Sequence, residues 1–525
     1  MEGPVGQVTI VGGGTAGWMT ALMLRTRMDA DRRGPRPRIT LIESPTVKII
    51  GVGEGTLPGF VEEMKTLGVP EPEFARRCSA SFKLGVRFDG WNRTEEGRPY
   101  AFTHPFTYGQ SCGGKNALLH CLSFGPHPGA DPRDVADSLD GIPQAIRLNR
   151  APYGIGRDAP PVRFARYGYH FDAARLAEFM RDLSVRRGVE HVLDDVDDAV
   201  VEGERITHLS LRERGLVPVE LVIDCTGFKG LLISKYLKEP FLPYAPHLLC
   251  DRALALQIPH RDPTAMESCT TATALGAGWV WRVPLFHRVG TGYVFSGAFR
   301  KDDDAVLEYC RHIGVDPDKA EARVIPMRVG RSRRAWVGNC IAVGLSGGFI
   351  EPLEATAIMT IQVTAMNIFR HFPDRSMQPG LRDRFNRLVA QYQDGIRDFI
   401  LMHYYLSNRE EPFWRAARSP EVLTESLREN LEVWAHRLPY GDDLPATSMF
   451  NHMSYGICLA AKGFYRGRTL ALQSNVSPAH WRGYGAQLGA LKAEVRRLPS
   501  VRELLLHLRG ESEPPRQMIG DLAFA

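Results

Sequence analysis

The sequence predicts an α/β protein in which one sheet domain is assembled from distant segments and a mostly helical module follows. Three observations predict it. A strand, a glycine turn, a helix and a second strand follow one another between residues 8 and 43. Two later apolar strands, over 221–224 and 341–343, also run into glycine turns, so separated segments converge on one sheet. From about Ala355 onward the spacing becomes helical, over 355–372, 381–406 and 422–436, with proline-rich breaks between.

The 525 residues are 44% hydrophobic and 24% charged, which excludes general disorder. The 51 Gly follow no three-residue period and the Pro are dispersed, which excludes a collagen-like or coiled-coil chain. A net charge of +5, from 65 Lys+Arg against 60 Asp+Glu, is nearly balanced and gives no case for nucleic acid. Nine Cys are scattered between Cys78 and Cys458 with no Cys-x-x-Cys pair, which points to a reducing compartment and away from disulfides or a thiolate zinc site. The 16 His include no His-Glu-x-x-His, so no metal is expected. The N-terminus carries no signal-type segment. Apolar stretches such as 340–349 fall short of the roughly 20 residues needed to cross a bilayer. The expectation is a cytoplasmic protein with no membrane or nucleic-acid partner.

The first unit has a mechanical logic. Val8-Thr9-Ile10-Val11 is a strand, and 18–27 a helix with Ala21, Leu22 and Leu24 toward the sheet. Between them, Gly12 allows a tight turn, Gly14 lets a pyrophosphate approach the backbone, and Gly17 lets helix and strand pack closely. The helix N-terminus faces the anion. Glu43 ends the second strand, where it can accept hydrogen bonds from a ribose. The segments Gly51-Val52-Gly53-Glu54-Gly55-Thr56 and Asp224-Cys225-Thr226-Gly227-Phe228 are placed to pass beside a flavin. With one Gly-x-Gly-x-x-Gly and no separate nicotinamide domain, the reading is a Rossmann-like dinucleotide-binding domain for NAD or FAD. The expected division is a core over 1–440, with a loop-rich inserted cap at about 125–163, and a helical substrate module over 441–525.

The chain resembles the flavin-dependent tryptophan halogenases. The resemblance runs from Ile10-Val11-Gly12-Gly13-Gly14-Thr15-Ala16-Gly17-Trp18-Met19 through Gly51-Val52-Gly53-Glu54, Phe82-Lys83, Tyr169-His170-Phe171-Asp172 and Asp224-Cys225-Thr226-Gly227-Phe228. It continues with Gly278-Trp279-Val280-Trp281-Arg282-Val283-Pro284, Glu351-Pro352-Leu353-Glu354 and Pro412-Phe413-Trp414. That covers about four-fifths of the chain. The Trp-x-Trp-x-Ile-Pro motif is the specific one, with Val283 in place of Ile.

The resemblance implies an FAD-binding Rossmann-like domain of the glutathione-reductase type, and with it a reaction. Reduced FAD and oxygen oxidise chloride or bromide to hypohalous acid, which travels through a channel to a lysine beside an aromatic substrate, and a base removes the ring proton. Lys83 would be that lysine and Glu354 the carboxylate. Cofactor contacts would come from Gly12, Gly14, Thr15, Ala16, Gly17, Glu43, Glu54, Val196, Gly227, Gly344, Leu345 and Ile358. The halide would sit at Thr356 and Ala357; Ala355 and Ala357 stand where tryptophan halogenases commonly carry Ser and Gly. Substrate contacts would come from His104, Phe106, Trp281, Phe450 and Tyr455, with the Trp279/Trp281 pair keeping substrate from the flavin. A separate NAD(P)H-dependent flavin reductase would supply reduced FAD, and a homodimer is a further expectation.

Read without the family, the same residues have plainer explanations. Apolar residues alternate across 82–88, and that periodicity favours Lys83 as a solvated lysine on an amphipathic strand. If its face instead lines a cavity, a buried ammonium needs a partner, and Glu354 is the candidate. Glu354 near a helix start can simply complement the dipole, for ~0.3–1 kcal/mol. Trp279, Trp281 and Phe106 can be core residues. Tryptophan-specific members hold the amino-acid end with adjacent tyrosines and a downstream glutamate. In Phe450-Asn451-His452-Met453-Ser454-Tyr455-Gly456 there is one Tyr, and no Glu follows until Glu494. The substrate expected is therefore indole, a substituted indole, or a larger aromatic or peptide. An aromatic hydroxylase and a non-catalytic flavin-binding protein are the alternatives. Leu345 after Gly344, where flavin hydroxylases usually have Asp, speaks against the first, and Lys83 with Glu354 against the second.

Overall fold

The computed structural model describes residues 3–31, 34, 36–47, 53–107, 116–156, 164, 166–470 and 477–512. Gly51 and Val52 of the glycine segment, 157–163 of the inserted cap, and 471–476 and 513–525 of the C-terminal module lie outside the described residues.

The distant segments do meet in one sheet. Its six strands run in the order Trp336–Val337, Cys340–Ala342, Leu221–Asp224, Gln7–Val11, Arg38–Glu43 and Glu190–Leu193. All are parallel except the Trp336–Val337 edge. Val8, Ile10, Leu41, Leu221 and Ile223 are inaccessible to solvent or nearly so, as a sheet covered on both faces requires. The helix Thr15–Ala30 covers one face and is flanked by Ala173–Arg186 and Ala357–Arg370. Asp172 starts the second of these, accepting hydrogen bonds from the backbone N–H of Ala174 and Arg175.

A second sheet of seven strands runs Arg323–Pro326, Arg252–Ile258, Val289–Phe295, Gly278–Pro284, Thr270–Leu275, Gly85–Arg93 and Pro99–Pro105. It packs through one apolar core on the long helix Pro379–Tyr405 and on the helices Pro412–Ala417, Glu425–Trp434 and His452–Ala461. Ala357–Arg370, Pro379–Tyr405 and Glu425–Trp434 correspond to the helical stretches expected over 355–372, 381–406 and 422–436. The eight described cysteines are buried and unpaired. No helix among the described residues is long and apolar enough to cross a membrane.

Between the large sheets lies a small antiparallel one, Gly53–Gly55, Gly168–Asp172 and Ser81–Lys83. It corrects the expectation of a single amphipathic strand over 82–88. Ser81–Lys83 belongs to the small sheet, and after Leu84 the chain enters Gly85–Arg93 of the seven-stranded sheet. Every residue from Ala80 to Val86 is buried, so alternation there does not separate core from solvent.

Candidate active site

A cavity of about 670 Å³ opens at the C-terminal ends of the parallel strands, within the roughly 300–1,000 Å³ usual for ligand sites. The glycines explain its floor. Gly12 has φ +117°, and a Cβ there would lie 2.3 Å from the Cys225 carbonyl oxygen. A Cβ on Gly17 would lie 1.9 Å from the Gly12 oxygen, so Gly17 packs the turn without lining the cavity. Nothing stands within 4 Å of the Cβ position of Gly14, which borders open space. A Cβ on Gly13 would meet Glu43 Cδ at 2.2 Å, so a bare backbone makes room for that carboxylate. Glu43 Oε2 stands 2.8 Å from His191 Nε2.

The remaining expected cofactor residues, Thr15, Ala16, Glu54, Val196, Gly227, Gly344, Leu345 and Ile358, line this cavity, as do Thr356 and Ala357. Burial pushes the Glu54 carboxyl up to about 7. Asp224 organises the neighbouring turn: it accepts from Thr226 Oγ1 at 2.6 Å and from the backbone N–H of Leu232 and Ile233 at 2.8 and 2.9 Å. A nucleotide-binding turn, an acid at the second strand end and a long cavity beyond them fit FAD. Residues that sequence reasoning missed line it too, among them Gln393 from the long helix and Met327.

Trp281 lines the same cavity, its ring filling space that Gly292 leaves open: a Cβ there would fall 2.1 Å from the indole. Trp279, its ring centroid 6.3 Å from that of Trp281, does not line the cavity and places its indole Nε1 3.3 Å from Glu351 Oε1. Tyr404 donates to the same oxygen at 2.6 Å. Burial lifts the Glu351 carboxyl to about 7, and its second oxygen has no partner among the described residues.

Lys83 is 0% exposed, which overturns the solvated reading. Its Nζ has no hydrogen-bond partner among the described residues and lies 5.0 Å from the Phe106 ring centroid. Burial pulls the amine down to about 8, with Glu354 and Cys269 opposing. The expected direct pairing with Glu354 is absent, for a physical reason: Glu354 is engaged by histidines. Its Oε1 stands 2.7 Å from His104 Nδ1 and 3.6 Å from His403 Nε2. Its Oε2 is buried with no hydrogen-bond partner among the described residues. Glu354 and Ala355 have φ of +67° and +57°, in a turn that leads into the helix Ala357–Arg370. Non-glycine residues there cost about 1–3 kcal/mol each, and such strain clusters at functional sites.

His104 thus holds the carboxylate, while Phe106 faces the lysine. Phe450 stacks on Phe399 with centroids 3.9 Å apart, and His104 lies 5.5 Å from Phe399 and 6.1 Å from Phe450. Tyr455 is buried, its ring 4.8 Å from Phe399 and 5.0 Å from Trp434. His170 and His403 carry no role in the sequence reading. His170 lies within the Tyr169–Asp172 motif, 2.9 Å from Thr270 Oγ1. His403 stacks on Phe88 at 4.4 Å. Burial holds both well below the usual histidine range, helped by Lys83 for His170 and by Lys462 for His403.

Comparisons with known proteins identify the family. The tryptophan halogenase family model matches residues 7–477. The tryptophan 7-halogenase RebH of Lentzea aerocolonigenes is 34% identical over 546 residues, covering 97% of this chain and 100% of that protein. A crystal structure of tryptophan halogenase from Shewanella frigidimarina superposes with a TM-score of 0.86 at 32% identity, covering 97% of this chain and 99% of that one. BrvH, a flavin-dependent halogenase from Brevundimonas sp. BAL3, gives 0.85 at 31%, over 96% and 99%. The chain belongs to the tryptophan halogenase family, whose members are flavin-dependent enzymes.

Proposed function

We propose that the protein halogenates an electron-rich, indole-type aromatic with chloride or bromide, through Lys83 and Glu354. The bound cofactor, delivered as reduced FAD by a separate flavin reductase, supplies with oxygen the chemistry that turns halide into hypohalous acid. The backbone N–H groups at Thr356 and Ala357 would hold the halide at the helix start that borders the cavity. Lys83 would hold the oxidised halogen next to the substrate ring. Carbon–halogen bond formation at that ring releases a proton, and Glu354 Oε2 is the free oxygen placed to take it while His104 fixes Oε1.

The observation that carries this reading is Lys83 itself: a fully buried, unpartnered amine near the flavin cavity, with a fixed carboxylate in its field. On the substrate side, Phe106, Phe399 and Phe450 offer ring faces, worth ~0.5–1.5 kcal/mol for each well-stacked pair. Asp398, whose charge is felt by Tyr455 beside this stack, is already held by Arg397, Thr424 and Ser426. A substrate ammonium gains little there. This supports a neutral indole, or an indole within a larger molecule, over free tryptophan. A screen of indole, tryptophan and tryptophan-containing peptides with chloride and bromide, read by mass spectrometry, tests it. Much faster turnover of free tryptophan than of indole would contradict the substrate assignment.

A further inference from the structure

Gly55 sits mid-site in the strand Gly53–Gly55, yet its backbone does not demand glycine: its φ lies outside the left-handed region. Space demands it. A Cβ on Gly55 would lie 3.2 Å from Ala355 Cβ, 3.3 Å from Lys83 Nζ and 3.4 Å from His170 Cδ2. Gly55 and Ala355 both line the flavin cavity, whereas Lys83 does not. The lysine amine therefore stands directly behind these two small residues, buried, with no polar partner among the described residues. Behind Gly55 the wall is His170, kept uncharged by burial and by Lys83.

We propose that Gly55 and Ala355 form the aperture between the flavin cavity and Lys83, and that the missing Gly55 side chain sets which oxidised halogen passes. The inference rests on the Lys83 reading above and assigns a specificity role to two small residues that line the flavin cavity. A methyl group at Gly55 narrows the passage and acts more strongly on bromine, the larger halogen. Removing the Ala355 methyl widens it, and the positive φ at Ala355 favours glycine there.

The test uses Gly55→Ala, Ala355→Gly and Lys83→Ala. FAD affinity of each purified protein is measured by flavin fluorescence. Halogenated indole and halogenated diketone scavenger are then quantified with chloride and bromide at equal concentration. For Gly55→Ala the expected result, per FAD-loaded enzyme, is indole halogenation lowered about tenfold, a lower bromo-to-chloro ratio, and more halogen trapped by the scavenger. For Ala355→Gly a higher bromo-to-chloro ratio is expected. If Gly55→Ala fails to bind FAD, the Ala355→Gly ratio decides alone. An unchanged rate and ratio in Gly55→Ala, or an unchanged ratio in Ala355→Gly, overturns the aperture. Full halogenation by Lys83→Ala instead overturns the reading on which it rests.

Discussion

His104 Nδ1 stands 2.7 Å from Glu354 Oε1, and both side chains are buried almost completely. The imidazole sits on Pro99–Pro105 of the seven-stranded sheet, and the carboxylate on the strained turn beside the flavin cavity. This hydrogen bond thus joins the seven-stranded sheet to the turn that borders the flavin cavity. It fixes one carboxylate oxygen and leaves the other free.

Loss of the base and loss of its anchor should therefore differ. Glu354→Gln should lower halogenation by about 10²–10⁴-fold, the usual contribution of a positioned base. His104→Ala leaves the carboxylate in place but loosens it, so a smaller loss is expected. Both variants should bind FAD normally, since neither residue lines the cavity. Single-turnover rates beside flavin titration check this.

Lys83 makes stability depend on pH in a definite direction. The unfolded chain keeps its lysine proton up to about 10.5, the folded protein only to about 8. Between those values the unfolded state binds more protons, so this residue's contribution to stability rises with pH. Below about 8 the cost of a buried ammonium is fully present. Lys83→Met should raise the melting temperature relative to wild type at pH 7, and the advantage should vanish above about 10.5. Paired thermal melts across that range measure it.

Trp281 lines the flavin cavity, and its indole occupies space that Gly292 leaves free. Trp281→Ala should open a route for substrate toward the flavin and let oxygenated products compete. Mass spectrometry should find hydroxylated indole alongside halogenated indole; halogenated product alone, at the wild-type yield, would remove Trp281 from that shielding role.

The two glycines of the first turn should separate folding from binding. Gly12→Ala meets the Cys225 carbonyl at a positive φ, so it should destabilise the domain by at least about 1–3 kcal/mol. Gly14→Ala meets nothing in the protein and should fold normally while weakening FAD binding. Denaturation and flavin titration of the two variants give the comparison.

The first turn was readable from sequence because Gly13 and Gly17 answer to contacts within one β-α-β unit, although the Cys225 carbonyl that Gly12 meets comes from a distant strand. Lys83 was harder. Alternation over 82–88 looks the same whether the second face meets water or a neighbouring sheet, and only the meeting of three sheets decides it. The Glu354 partner was misplaced for a related reason. Charge pairing suggested Lys83, whereas the fold brings in His104 from a strand and His403 from the long helix. His403 follows Ile396, Phe399 and Ile400 at helical spacing, so its sequence context is that of a core residue. Gln393 gave no signal for the same reason: its place on the cavity wall depends on how the long helix docks.

The central claim is that the Lys83 amine receives the halogen that the flavin cavity generates. Lys83→Ala, loaded with FAD and supplied with reductase, bromide and indole, measures it most directly by bromoindole yield. FAD bound as tightly as in wild type with no bromoindole formed is the predicted result. Bromoindole at the wild-type rate from the same protein would contradict it.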